Sequence, residues 1–279
     1  MHFHHHDPAA PIDTHDPKTT VVEFRNVSIA FENNQVLNDV SFRVGHGEQR
    51  MILGPAGGGK STLMKLANGL IQPDSGQIFV FGRELGTMTE SELFEMRAHV
   101  GMVFQESALF DSLSVENNVA YRLNEEHVSE TESHDRVVEA LRFVELENAI
   151  AKFPPELSGG MRRRVSIARA IISSPDLILY DSPTAGLDPI TSTTIIELVI
   201  KQRDVSHTTS LLITHRLQDA FTMATHRFSQ ETNHMEPIPN KGIDPSVTFL
   251  VLNDGHVVFD GSTEELARTN DPWLKSYIS

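Results

Sequence analysis

Apolar residues along this chain change their spacing repeatedly, and each change marks a new element. Val22, Phe24, Val27, Ile29 and Phe31 predict a first strand and Val36 to Val44 a second, with Asn33 and Asn34 as the turn between them. Met51 to Leu53 is a short continuous apolar run, followed by a glycine-rich turn and by Leu63, Leu66, Ala67 and Leu70 at helical spacing. Gln72 to Gly76 is a turn cluster. Gln77 to Phe81 then reads as a strand that exits at Gly82, Thr89 to Arg97 as a helix, and Val100 to Phe104 as an apolar strand. A helix over Leu113 to Tyr121 follows a cap at Ser112 or Ser114. Ser129 to Glu132 reads as a capping box ahead of Val137, Leu141 and Val144. Pro154-Pro155 closes this mostly helical insert, which spans residues 90–175. Ser158 caps a helix running to Ala170, and Leu177 to Asp181 and Leu211 to His215 are apolar strands of the kind buried on both faces of a parallel sheet. Residues 226–247, with Pro237, Pro239 and Gly242, form a connection long enough to be functional or disordered rather than inert. Thr248 to Leu252 and Val257 to Phe259 flank a hairpin turn at Asn253-Asp254-Gly255, and Ser262 to Glu265 caps a last helix. The pattern predicts an α/β fold with a parallel or mixed β core, an antiparallel β portion and an inserted helical subdomain.

The turn after Met51 to Leu53 carries the most specific chemistry. Gly54, Pro55, Ala56, Gly57, Gly58, Gly59, Lys60, Ser61 and Thr62 satisfy the P-loop pattern G-x-x-x-x-G-K-[ST], with the strand before and the helix after that it requires. Glycines let successive backbone N–H groups turn toward phosphate oxygens, and a helix N-terminus adds partial positive charge. Lys60 would neutralise the β- and γ-phosphates, and the Ser61 hydroxyl would ligate Mg²⁺. Ser158, Gly159, Gly160 and Met161 open a second helix with exposed N–H groups, a second anion-binding terminus; without the P-loop, an ordinary helix with an Arg-rich solvated face would be the better reading. Asp181 ends an apolar strand where a P-loop NTPase places its Mg²⁺ carboxylate. His215 ends another, beside the same crevice, as a γ-phosphate contact. Phe31, about two dozen residues before the loop, fits either a ring stacked on a purine or a core side chain.

Composition narrows the class without naming it. The 279 residues include 38 acidic against 23 basic ones, a formal net charge of −15, which argues against a nucleic-acid partner. The absence of cysteine excludes disulfides, thiol chemistry and a thiolate metal site, and is compatible with a reducing compartment. No apolar run approaches the roughly 18 residues needed to span a bilayer, so a membrane role would go through a partner. Residues 1–20, with His2, His4, His5, His6 and His15, read as a disordered tail, with a metal-binding cluster and a cloning remnant as alternatives.

In order and spacing, Gly54 to Ser61, Gln105, Leu157-Ser158-Gly159-Gly160, Leu177 to Asp181, Ala185-Gly186-Leu187-Asp188 and His215 resemble the Walker A, Q-loop, signature, Walker B, D-loop and H-loop of an ABC-transporter ATPase. The match runs over residues 21–266, which the resemblance implies form one ABC ATPase domain ahead of a C-terminal tail, 267–279. Leu66-Ala67-Asn68-Gly69-Leu70, the stretch Phe104 to Asn118 and the signature ending in Met161 look like the ATPase of the MCE-type transporters that maintain lipid asymmetry. The resemblance implies ATP hydrolysis with ATP and Mg²⁺ as cofactors, lipid transport, and a place on the cytoplasmic face of the cell membrane. It also implies a second ABC ATPase subunit in a homo- or heterodimer, transmembrane permease subunits and an MCE-type lipid-binding protein in the same complex. In such a dimer each ATP lies between the Walker A of one protomer and the signature helix of the other, with Asp188 at the seam. Gln105 would ligand Mg²⁺ and report nucleotide state to residues 106–112, which receive a permease helix. Ala108, Leu109 and Phe110 fit that docking role, and fit a buried local cluster equally.

One departure stands out: the family expects Glu directly after the Walker B aspartate, and this chain has Ser182. General-base assistance is worth roughly 10²–10⁴-fold, so a hydroxyl in that place predicts slow hydrolysis with binding and closure retained. Rescue by a partner subunit or by His215, and an altered sequence, are the competing accounts. A nucleotide-gated regulatory subunit that binds ATP without useful turnover is the rival class. A soluble ABC ATPase of DNA repair or translation would want a second ATPase half, a coiled coil or a basic surface. The chain lacks the first and gives no sign of the others.

Overall fold

The computed structural model describes residues 20–32 and 34–278, so the expected tail, apart from Thr20, and the Asn33 half of the expected turn lie outside the described residues. β1 (Thr20–Phe31) and β2 (Asn34–Gly45) pair antiparallel, with Asn34 already inside β2. β3 (Gln49–Leu53) enters the P-loop and α1 (Lys60–Ala67) leaves it, ending short of Leu70, which is exposed. β4 (Ser75–Val80) and β5 (Arg83–Glu84) complete a four-stranded sheet of order β2-β1-β4-β5.

α2 (Glu90–Ala98) starts on a full capping box between Thr89 and Glu92, and β6 (Val100–Val103) follows. β6 belongs to the core sheet, so the inserted helical body begins after Val103 rather than at residue 90. It comprises α3 (Val115–Glu125), α4 (Glu130–Phe143) and α5 (Gly159–Ile171). Ser114, not Ser112, caps α3, and Leu113 lies before the helix. Ser129 accepts from the Glu132 amide at 3.4 Å, giving half of the expected capping box.

The chain then alternates through β7 (Leu177–Asp181), α6 (Pro189–Ser206), β8 (Thr209–Ile213) and α7 (Leu217–Thr225). The long connection over 226–247 holds a hairpin, β9 (His226–Ser229) and β10 (His234–Pro237), too short for alternation to reveal. Glu197 of α6 straps it down, accepting from the Met235 amide at 2.9 Å. β11 (Val247–Asn253), β12 (His256–Ser262) and α8 (Thr263–Ala267) follow, the last with a full capping box from Ser262. α8 is not the last helix: α9 (Pro272–Ile278) occupies the expected C-terminal tail.

The core sheet has the order β12-β11-β3-β8-β7-β6, parallel throughout except for β12. Because side chains alternate along a strand, each parallel strand feeds two cores. Met51, Ile178, Tyr180, Leu212 and Phe249 enter the core shared with the inserted helices. Ile52, Leu179, Leu211 and Leu250 enter the one shared with the antiparallel sheet and α1. That double burial explains why these strands are continuously apolar. It also fixes where the C-terminal ends of β3, β7 and β8 emerge together.

Candidate nucleotide site

The three strand ends carry the P-loop, Asp181 and His215, with β8 paired on one side to β3 and on the other to β7. This is the crevice at the carboxyl ends of parallel strands where α/β sheets bind ligands. A cavity of about 560 Å³, lined by Arg136, Glu139, Asp176 and His207 among others, lies at the opposite, amino ends of β7 and β8. It shares no residue with the strand-end cluster.

Two glycines shape the P-loop. Gly54 has φ +143° and a Cβ there would sit 2.2 Å from the Leu252 carbonyl oxygen; Gly59 has φ +86° and a Cβ would meet Leu37 at 2.6 Å. Lys60 is buried and donates Nζ to the Gly54 and Pro55 carbonyls at 2.9 and 2.6 Å. Burial lowers its pKa from the ordinary lysine value, and the charge of Asp181 opposes that shift. Gly59 is the cap of α1, and no side chain accepts from the amides of the first turn. Ser61 Oγ lies 3.3 Å from Asp181 Oδ1. A hydroxyl and a carboxylate side by side suit a hard divalent cation such as Mg²⁺, and the uncapped amides and buried ammonium suit phosphate oxygens. The residues present therefore fit a Mg²⁺-nucleotide.

Ser182 is 3 % exposed, with φ +50°. Its amide donates to Ile213 O at 3.0 Å and its hydroxyl to Asp181 Oδ1 at 3.4 Å, so it ties β7 to the end of β8. His215 is exposed. Burial, then the Lys60 charge, lower its pKa below the ordinary histidine value, with Asp181 opposing. Thr184 Oγ1 donates to Asp219 Oδ2 at 2.5 Å, joining the loop after β7 to the helix after His215, and burial raises the Asp219 pKa.

The remaining predicted residues lie around this cluster. Ser158, Gly159, Gly160 and Met161 open α5, where Ser158 Oγ accepts from the Met161 amide at 3.2 Å. Among the described residues no hydrogen bond links them to residues 54–62. Asp188 caps α6, accepting from the Ile190 and Thr191 amides at 3.1 and 3.0 Å. Thr191 also abuts Gly160, where a Cβ would lie 2.4 Å from its methyl, so the α5 and α6 termini form one surface. Gln105 and Phe104 are exposed in the loop after β6. Phe31 is 48 % exposed and pairs with Asn34 at the hairpin end whose Val36 and Leu37 press on Gly59, which favours the surface ring over the core side chain. Phe110 is 44 % exposed and packs against Tyr121 with tilted rings 4.9 Å apart, while Leu109 is only half-buried, so this patch is not a closed local cluster.

Sequence reasoning missed Tyr277, whose hydroxyl accepts from the Gly54 amide at 2.9 Å and so brings α9 to the start of the P-loop. Trp273, Leu274, Tyr277 and Ile278 carry helical spacing that could have signalled α9. It also missed Asp219 and the α5 arginines Arg163 and Arg169, whose partners are far away in sequence.

A family model described as ABC transporter matches residues 37–185, just over half of the chain. The chain belongs to the ABC transporter family. It is an ABC-type ATPase and an ATP-binding subunit. Over 259 residues it is 32 % identical to the intermembrane phospholipid transport system ATP-binding protein MlaF of Escherichia coli, covering 92 % of this chain and 88 % of that one. It is 35 % identical over 263 residues to the methionine import ATP-binding protein MetN 2 of Bacillus cereus, covering 93 % and 73 %. Its fold matches the ATP-binding cassette MJ0796, solved as a dimer in a post-hydrolysis state with ADP and Pi. That match has a TM-score of 0.73 at 28 % identity, over 86 % of this chain and 98 % of the other. Among the described residues no helix is long and apolar enough to cross a membrane.

Proposed function

We propose that this ATPase drives a lipid-transporting permease by ATP-dependent closure of a dimer, with hydrolysis slowed by Ser182. The observation that carries the reading is the strand-end cluster: uncapped α1, buried Lys60, and Ser61 beside Asp181, with a hydroxyl where a general base is expected. The α1 amides and Lys60 take the β- and γ-phosphates of the substrate ATP. Ser61, Gln105 and Asp181 would hold Mg²⁺, which would supply charge neutralisation at the phosphates. The α5 terminus of the partner protomer supplies a second set of donors, so closure needs ATP and its loss reopens the dimer. His215, whose pKa burial and the Lys60 charge lower, contacts the γ-phosphate; Phe31 stacks on the base; Asp188 sits at the seam beside Thr191.

The lipid assignment rests on the Leu66 to Leu70 and Phe104 to Asn118 stretches, on Met161 and on the match to MlaF across 88 % of that protein. On this reading the chain sits on the cytoplasmic face of the membrane through its permease, with an MCE-type protein in the same complex. Residues 106–112 meet the permease, with Phe110 and Tyr121 as the apolar contact. Ser182 supports a second reading, a subunit gated by nucleotide with little turnover.

Steady-state hydrolysis and Mg–ATP-dependent dimerisation of the purified chain, beside Ser182→Glu, test the first against the second. Slow but measurable turnover with clear dimerisation supports the proposal, and dimerisation without turnover supports the gated subunit. Turnover equal to that of Ser182→Glu would mean that another group positions the water.

A further inference from the structure

Four backbone carbonyls in the loop after β6 each accept a guanidinium N–H from α5. Arg163, 4 % exposed, donates Nη1 to Phe104 O at 2.6 Å and Nη2 to Gln105 O. Arg169, further along the same helix, donates Nη2 to Ser107 O at 3.0 Å and Nη1 to Ala108 O at 2.7 Å. Ser107 and Ala108 hold left-handed backbone angles, φ +65° and +47°. Non-glycine residues keep that conformation only where their surroundings impose it, and charge-assisted bonds to their carbonyls do so here. Arg163 Nε has no protein acceptor, so every bond this side chain makes within the chain goes to the loop. Beyond the arginines, buried Asn118 of α3 extends the fastening. Its Nδ2 donates to the Phe110, Leu113 and Ser114 carbonyls at 3.0 Å, and its Oδ1 accepts from the Phe110 amide at 2.8 Å. The loop leaves the core sheet at Val103 but is held by the inserted helices.

We propose that Arg163 and Arg169 are positioning residues that make the signature end of α5 and the Gln105 loop one moving body, so that an ATP phosphate engaged at Ser158 to Met161 shifts Gln105 and residues 106–112 with it. The inference rests on the sandwich-dimer reading above. A guanidinium fork bound to two carbonyls transmits displacement to the backbone itself, which a single flexible contact would absorb. Asp181 acts electrostatically on Arg163, so the clamp also lies within reach of the charge at the strand ends.

Hydrogen exchange of the full chain, with and without Mg–ATP, tests this in wild type, Arg163→Met, Arg169→Met and Arg169→Lys. In wild type Mg–ATP should slow exchange in peptides covering 157–163 and 104–112 alike. In either Met variant, 104–112 should exchange about a hundredfold faster before ATP is added, the low end of the loss expected from two charged bonds. Residues 106–112, beyond the Gln105 that meets Mg²⁺ directly, should no longer respond to Mg–ATP, although 157–163 still does. Lys restores part of the response, because an ammonium is a point charge and not a fork. If Arg163→Met does not fold, the less buried Arg169→Met carries the same test. A purely structural role would speed exchange in 104–112 yet leave the ATP response of 106–112 intact, and that result overturns the clamp alone. A wild-type 157–163 peptide that ignores Mg–ATP overturns the sandwich reading and the clamp with it.

Discussion

α1 and α5 both open on glycine-rich turns, yet their first turns are completed in opposite ways. At α1 the cap is Gly59 in a left-handed conformation, and no side chain accepts from the amides that follow. At α5 the cap is Ser158, whose hydroxyl accepts from the Met161 amide at 3.2 Å. Neither helix has an acidic residue in its first turn to compete with an incoming anion. A helix N-terminus without a side-chain acceptor leaves all its first-turn amides to an incoming anion, whereas the Ser158 cap already occupies one of them and leaves fewer. On the proposed function this sets an order. α1 takes ATP in a single protomer, and α5 adds its donors only when a second protomer brings them.

The largest expected effect lies downstream of both termini. Ser182→Glu should raise kcat for ATP by roughly 10²–10⁴-fold, the usual worth of a positioned general base, with little change in ATP affinity. Steady-state kinetics beside an equilibrium titration would check both halves. A rise in affinity without a rise in kcat would move Ser182 from the chemistry to the binding side of the comparison.

Next comes the α1 side. Lys60→Met removes the buried ammonium, and losing a charged hydrogen-bond donor should weaken Mg–ATP binding by a lone protomer roughly 10- to 100-fold. The measurement is a fluorescent-nucleotide titration at a concentration where no dimer forms. Wild-type affinity in that variant would mean that the glycine-loop amides hold the phosphates unaided.

The α5 side should respond differently. Ser158→Ala loses a helix cap worth about 1 kcal/mol, so Mg–ATP-driven dimerisation should weaken by about fivefold while lone-protomer affinity stays near wild type. Equal losses from Lys60→Met and Ser158→Ala in the lone protomer would erase the distinction between the two helices.

Legibility follows the same division between local and distant. The α1 site lies in one contiguous motif, and the parallel strands announce themselves as apolar runs because both their faces are buried. The caps at Ser158 and Ser262 are local as well, so a serine just ahead of a helical pattern signals them, and narrows the α3 cap to Ser112 or Ser114. What sequence hides depends on distance along the chain. Arg163 reaches Phe104 and Asp219 reaches Thr184 across dozens of residues, and an Arg-rich helix reads as a solvated face unless the loop beneath it is known. Sequence pattern puts β6 inside the helical insert, because a four-residue strand between helices carries no sign of which sheet it will join.

α9 adds the smallest and most local effect to the comparison. The Gly54 amide, at the mouth of the otherwise uncapped loop, donates to the Tyr277 hydroxyl at 2.9 Å. The turn before α1 thus borrows a side chain from the far end of the chain, as α5 uses its own serine. Tyr277→Phe keeps the ring and its stacking on Trp273, whose centroid lies 5.3 Å away, and removes only the acceptor. A neutral bond at a half-buried site is worth about 0.5 kcal/mol, so the midpoint of thermal unfolding should fall slightly and the Gly54 amide should exchange about twofold faster. Exchange along α1 should not change, because its first turn does not depend on Tyr277. If α1 loosens as well, then α9 acts as a remote cap for the P-loop helix, and the contrast between an uncapped α1 and a serine-capped α5 holds only while α9 is undocked.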